Sequence, residues 1–204
     1  MTAVAASDGD TAAESYTQRL TARSGAGWKR ALDVQAPYRW NLRRLLGERR
    51  TLDVGCGIGR NLVNLPPGSA GVDHNPTSVR VCRDAGLTAF TVDEFLARDD
   101  SPRYGGMLAA HLLEHLPAGA GAEVLRGYLP FLEPGAVVVL ICPQERGFAS
   151  DPTHTVFVDQ PALAGIVAEL GLEPRRQYSF PLPRFAGRAF TYNEFVTVAA
   201  VPVP

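Results

Sequence analysis

No apolar run in the 204 residues approaches the ~20 that a membrane-spanning helix needs. The first residues carry no basic-then-apolar leader pattern; they are rich in Ala, Ser, Thr and Asp, and a cytoplasmic protein is expected. Cysteine is scarce. Cys56, Cys82 and Cys142 lie far apart, each in or beside an apolar run. That spacing excludes a cysteine metal knuckle and suits buried, reduced thiols. Lysine is scarcer still: of 20 basic residues only Lys29 is not arginine. No G-K-[ST] tripeptide exists, which excludes a Walker A loop, and no internal repeat is visible. The formal net charge is only −1, yet residues 16–50 gather nine Arg/Lys against two acids, Asp33 and Glu48. This is either a solvated helical face or a basic wall beside a substrate or nucleic acid.

One dense feature stands against these absences. In Thr51-Leu52-Asp53-Val54-Gly55-Cys56-Gly57-Ile58-Gly59-Arg60-Asn61-Leu62 an apolar run meets a glycine at every second position, and a helical pattern follows. A second acid, Asp73, closes the next apolar run, Ala70-Gly71-Val72-Asp73. Glycine lets the backbone turn sharply and lets a ligand lie on the main chain. An acid at a strand's end suits the two hydroxyl donors of a ribose. The pair reads as a nucleoside-cofactor site at the edge of a parallel sheet. A dinucleotide fingerprint would need a third glycine at Arg60 or Leu62, where there is none.

The length suits one domain with a substantial core. Residues 1–13, polar and without period, read as disordered, which leaves 14–204 as the domain. Helical spacing runs from about Ser15 to Arg23 and again from Trp28 to Leu46, with Pro37 opening the last helix. Strands are expected at 51–55, 69–73, 88–92, 106–110 and 136–142, and helices at 59–64, 76–85, 117–130 and 159–170. Such alternation predicts a parallel sheet with right-handed crossovers. The tail changes character: strands at 174–180 and 190–200 flank a loop rich in proline and aromatics.

The spacing D-x-G-x-G-x-G resembles motif I of the class I S-adenosylmethionine-dependent methyltransferases. Asp73 falls where that family keeps its ribose acid. Val92-Asp93-Glu94-Phe95 falls where it sets an acid against the adenine amino group. Leu132-Glu133-Pro134-Gly135 resembles its turn into strand five. The resemblance covers roughly residues 50–145. It implies an α/β, doubly wound, mostly parallel seven-stranded sheet with a C-terminal antiparallel hairpin, and N-terminal lid helices over 14–47. It implies S-adenosylmethionine as cofactor, with S-adenosylhomocysteine as product. Asp53, Gly55, Cys56, Gly57, Gly59, Asp73, His74, Asp93, Glu94 and His111 would form its site. Two departures are visible: no acid in Tyr104-Gly105-Gly106-Met107, and no N-P-P-[YFW] motif. Both lower the case for an amino-group methyltransferase of nucleobases or glutamine.

His111-Leu112-Leu113-Glu114-His115 matches the metalloprotease signature H-x-x-E-H. Pro117 follows at once and a strand-like run precedes it, so no helix could present both histidines to zinc. These residues belong instead to the rim where open α/β sheets bind ligands. A hydroxyl nucleophile benefits from a base, and His154 and His111 are the candidates. Glu114, His115, Gln144, Asp151 and Tyr192 are candidate substrate contacts, and Glu114 with Asp151 could hold Mg2+ to acidify a hydroxyl. The leading expectation is O-methylation of a small-molecule hydroxyl acceptor, a saccharide or other polyol. The blocks Asp33–Leu45 and Asp151-Pro152-Thr153-His154 resemble bacterial sugar methyltransferases, among them the methylmannose-polysaccharide enzymes. An RNA or tRNA methyltransferase is the alternative. The near-neutral charge and the missing RNA-binding appendage count against it. A non-catalytic cofactor-binding subunit is a third reading. No membrane partner is expected, and a homodimer is left open.

Overall fold

Short apolar runs, each stopped by glycine, proline or a helix cap, form seven strands of a single sheet. They are β1 (Thr51–Val54), β2 (Ala70–Asp73), β3 (Ala89–Thr91), β4 (Tyr104–Ala110), β5 (Leu132–Pro143), β6 (Glu173–Phe180) and β7 (Glu194–Ala200). The structure, a computed structural model, describes residues 35–98 and 103–204. The expected disordered stretch at 1–13, the helix at 15–23 and the start at Trp28 lie outside the described residues. The strand order is β3-β2-β1-β4-β5-β7-β6. The first five strands are parallel, and β7 inserts antiparallel between β5 and β6. The chain therefore winds outward in two directions from β1 and β4. The crevice at the carboxyl ends of these strands is where doubly wound sheets bind ligands.

Helices cover both faces: α1 (Ala36–Leu46), α2 (Pro76–Asp84), α3 (Val92–Leu96), α4 (Ala120–Arg126), α5 (Glu145–Phe148) and α6 (Gln160–Glu169). Side chains alternate across a strand, so the central strands feed two cores. Met107, Ala109, Val138 and Leu140 meet Leu125 of α4 and Leu163 and Val167 of α6. Leu108, Ala110, Val139 and Ile141 meet Leu42 and Leu46 of α1. Each fully buried leucine contributes about 1.5–3 kcal/mol. Asn41 adds a buried bond, accepting from the Tyr178 hydroxyl at 2.7 Å. The described lid helix, α1, is thus a docked layer of the core.

Three expectations are corrected. Residues 59–64 form only a 3-10 turn at Leu62–Asn64. Six residues between a glycine turn and Pro66-Pro67 are too few to nucleate an α-helix, and Leu65 is extended as a residue before proline should be. The helix read over 117–130 shrinks to α4, because Pro117 and a left-handed Gly119 delay its start and Gly127 ends it. The turn expected at Leu132–Gly135 lies inside β5 as a bulge: Tyr104 pairs with Leu132, but Gly106 already pairs with Val137. Among the described residues no helix is long and apolar enough to cross a membrane.

Candidate active site

The glycine turn leaves β1 and folds under the tip of β2. Gly55 and Cys56 N–H both donate to the Val72 carbonyl, at 2.8 and 3.1 Å. Gly55 and Gly59 take φ of 76° and 81°, which L side chains rarely adopt. A Cβ on Gly55 would lie 2.9 Å from Leu112 Cδ1, so the turn packs directly on the segment that follows β4. Asp73 braces the turn. Its Oδ2 accepts from Gly57 N–H at 2.8 Å and its Oδ1 from Asn75 N–H at 2.9 Å, and Asn75 in turn caps α2. A carboxylate has about four lone-pair sites, so Asp73 retains capacity for two more donors.

Asp53 is buried, and its Oδ2 has no hydrogen-bond partner. Burial and the neighbouring Asp73 raise its pKa from 3.8 to about 7. The Cys56 thiol points away from this crevice into a cluster with Leu62, Val79 and Cys82, so only its backbone belongs to the turn. All three cysteines are buried and unpaired. His74 is exposed, with Nδ1 3.6 Å from Asp73 Oδ1. Asp93 and Glu94 open α3. Asp93 is exposed, whereas Glu94 is committed to Thr91 in a capping box and to Arg83 at 2.6 Å.

Beside the turn, His111 leaves β4 with φ of 57°, the sole described non-glycine residue with positive φ. Such strain concentrates at functional sites. Its Nδ1 lies 3.2 Å from Glu114 Oε1 and its Nε2 2.8 Å from Glu194 Oε1. Two carboxylate partners require both nitrogens to carry protons. Burial alone would lower the pKa, but the two carboxylates outweigh it and raise it to about 10. The ring is 44% exposed, so the carboxylates rather than the surroundings set its charge. With a proton on each nitrogen His111 is placed to orient two carboxylates, a different role from the base that the sequence suggests. Glu114 is fully buried. Burial would raise its pKa, but His111 holds it below the ordinary carboxylate value. Its Oε2 has no hydrogen-bond partner.

His154, from the loop after β5, also departs from the base expectation. Its Nδ1 sits 2.8 Å from the Phe148 carbonyl, so Nδ1 carries the proton; Nε2 faces Glu114 Oε1 at 4.0 Å. The side chain is only 9% exposed, too enclosed to reach an acceptor hydroxyl at the rim. His115 Nδ1 meets the Thr153 carbonyl at 3.1 Å. Burial, with His154 adding to it, lowers its pKa despite Glu114. Asp151 caps its own turn, accepting from Thr153 N–H and Oγ1. It is not among the residues whose ligand atoms converge; those are Glu114, His115 and His154.

Gln144 was expected to meet substrate, but it is fully buried and saturated. Its amide nitrogen donates to Ser179 Oγ and the Glu194 carbonyl, and its oxygen accepts from Asn193 Nδ2, all at 2.9 Å. It ties β5 to β6 and β7 and so positions Glu194. Gly187 permits this, since a Cβ there would overlap Gln144 Oε1. Gly187→Ala should cost about 1–3 kcal/mol or more through overpacking. An unchanged urea midpoint would show that Gln144 can move aside. Tyr192 remains at the rim, exposed, with Phe190 5.7 Å away and its carbonyl accepting from the Tyr38 hydroxyl at 2.5 Å.

Tyr38 is not singled out by the sequence, and Glu194 reads there equally as a plain strand edge. The one available signal was an acid opening the last strand beside an aromatic pair. Its partner His111 lies 83 residues away, so spacing could not reveal the contact.

No protein-family model and no curated protein matches the chain. Solved structures do. The magnesium protoporphyrin IX methyltransferase of Synechocystis PCC 6803 with bound S-adenosylhomocysteine aligns with TM-score 0.66 at 13% identity, covering 94% of this chain and 96% of that one. A SAM-dependent methyltransferase from Archaeoglobus fulgidus aligns with TM-score 0.62 at 22% identity, covering 80% and 92%. The 1,6-didemethyltoxoflavin-N1-methyltransferase of Burkholderia thailandensis aligns with TM-score 0.59 at 19% identity, covering 92% and 88%. The order β3-β2-β1-β4-β5-β7-β6, with its antiparallel β7, is the fold of the S-adenosylmethionine-dependent methyltransferases.

Proposed function

We propose that the chain is an S-adenosylmethionine-dependent methyltransferase that methylates a hydroxyl on a polyhydroxylated small molecule, a saccharide being the leading class. One juxtaposition supports this most. The glycine turn with its buried acids packs against a Glu114–His111–Glu194 chain that ends at an aromatic rim. The residues fit the cofactor on physical grounds. Asp73 keeps lone pairs for a ribose diol. Asp93 stands exposed at the start of α3 for an adenine amino group. Asp53 offers an unpartnered buried carboxylate to a ligand that carries an ammonium and a sulfonium. S-adenosylmethionine, when bound, supplies an electrophilic methyl group.

The chain's own task is then to align an oxygen nucleophile, exclude water and accept one proton. Glu194, with its side chain 12% exposed, can hold an acceptor hydroxyl while it keeps its bond to His111. As a hydroxyl oxygen gains a carbon its proton becomes strongly acidic, so a carboxylate suffices to take it. His111, fixed as a cation, orients Glu194. Tyr192, Phe190 and Tyr38 offer aromatic faces at the rim on which a sugar ring can stack. A methylmannose-type polysaccharide unit belongs to this acceptor class.

A transfer assay with methyl-labelled cofactor over oligosaccharides, glycosides, amines and tRNA tests the reading. Label on a hydroxyl of a glycoside or oligosaccharide is expected. Label only on amines or tRNA would replace the acceptor assignment, and cofactor binding without transfer to any of them would mark a non-catalytic subunit. A pH prediction accompanies it. Asp53 titrates near 7 instead of near 3.8, so its contribution to the stability of the free protein is fully present below pH 3.8 and lost as pH rises through 7. A bound cation favours the ionised form. Cofactor affinity should therefore weaken as pH falls below about 7, with proton release on binding visible as a buffer-dependent heat. Flat affinity from pH 5.5 to 8 would remove Asp53 from the site.

A further inference from the structure

Two imidazoles and a carboxylate converge behind the rim. One ligand atom each from Glu114, His115 and His154 lies within 4.8 Å of the others, although the residues come from two separate loops. We propose that these three residues bind one divalent transition metal ion of the zinc type.

The hydrogen bonds around the cluster are those of a metal site. Metal-ligating histidines donate the second ring N–H to a carbonyl or carboxylate, which fixes the tautomer and aims the other nitrogen. His115 does so through Nδ1 to Thr153, and His154 through Nδ1 to Phe148. Nε2 is then the nitrogen each ring can offer to an ion, and that of His154 faces Glu114 Oε1 at 4.0 Å. Ring stacking holds them there: His154 stacks on Phe148 at 5.4 Å and meets His115 edge-on at 4.9 Å. Glu114 supplies an independent sign. It is 0% exposed, one oxygen is bonded to His111, and Oε2 is left without a partner in the interior. A buried carboxylate oxygen in that position is costly unless something meets it.

The donor set selects the ion. Two nitrogens and one oxygen suit zinc and its neighbours, whereas magnesium prefers oxygen throughout. Metal bonds of 2.0–2.2 Å in a tetrahedron bring ligand atoms to about 3.4 Å from one another. His154 Nε2 now stands 4.0 Å from Glu114 Oε1 and the three ligand atoms lie within 4.8 Å of one another, so side-chain rotations that draw them together by about 0.6–1.4 Å close the set. Three protein ligands leave the fourth position to a water or a hydroxyl oxygen. The ligands are not the two histidines of the H-x-x-E-H string. His111 is held by carboxylates, and the second imidazole comes from the Asp151-Pro152-Thr153-His154 loop.

Chelator-treated protein titrated with Co2+ should develop the visible bands of a tetrahedral site at one equivalent per chain, and Zn2+ should displace them. His154→Ala and His115→Ala should each weaken binding by at least about 10- to 100-fold. A readout without mutation guards against misfolded variants. In nitrogen-15 spectra of the wild-type chain, Zn2+ should shift the Nε2 signals of two of the four histidines, His115 and His154. No Co2+ band, a shift at His111 or His74 instead, or unchanged affinity in both variants would overturn the proposal. Methyl transfer enters none of these readouts, so their failure and that of the transferase reading are separable.

Discussion

Glu194→Gln should lower kcat by about 10²- to 10⁴-fold, the loss expected when a positioned proton acceptor is removed. The substitution keeps the shape and still lets an oxygen accept from His111 Nε2, so the rim need not rearrange. It removes the charge that receives the hydroxyl proton. Cofactor affinity should stay within about twofold, because the glycine turn and its acids lie on β1 and β2 rather than β7. A second signature follows from the geometry. With one of its two carboxylates gone, the His111 pKa should fall from about 10 towards its ordinary value. Rates in the wild type and the variant, with the His111 titration followed by NMR, check both. If the variant retains more than a third of the wild-type kcat, Glu194 is not the acceptor. If the His111 pKa does not move, the ion pair drawn here does not exist in solution.

His111→Ala should destabilise the protein by about 3 kcal/mol. Removing one partner of a buried ion pair costs roughly 3–5 kcal/mol because the other charge is left uncompensated. The lower end applies because the His111 ring is 44% exposed and water can partly replace it, while Glu114 remains fully buried. Glu114→Gln in the same chain removes the stranded charge, so the double variant should recover part of the loss; a double-mutant cycle measures the coupling. His111→Gly should be less destabilised than His111→Ala, since glycine accepts a φ of 57° without strain. Equal urea midpoints for wild type and His111→Ala would show that Glu114 is not held by this ring.

The glycine turn was legible in the sequence because its geometry is local. Glycines at fixed spacing, an acid two residues earlier and another at the next strand's tip are all set by one strand-turn-helix passage. The structure brings the turn and Asp73 within hydrogen-bond reach and buries Asp53 beside them. The doubly wound sheet was legible for a similar reason, since each apolar run and each turn signal acts within ten residues. The contact of His111 with Glu194 was not. His111 and Glu194 meet across 83 residues because β7 inserts beside β5, and Pro143 then stands opposite Glu194. Gln144 was misjudged because a polar residue at a strand tip can face inward when three neighbours satisfy it. Glu94 resembled a cofactor acid in sequence but serves as a helix cap, and spacing does not distinguish the two. The side-chain type of His111 suggests a base, whereas its two carboxylate partners place a proton on each ring nitrogen.

Calorimetric titration of the wild-type chain and Asp73→Ala with S-adenosylmethionine tests the central claim most directly. One site per chain is expected, weakened at least about 10-fold in the variant, as loss of two hydrogen bonds to a charged group implies. Wild-type affinity in Asp73→Ala, or no binding to the wild type at pH 8, would contradict it.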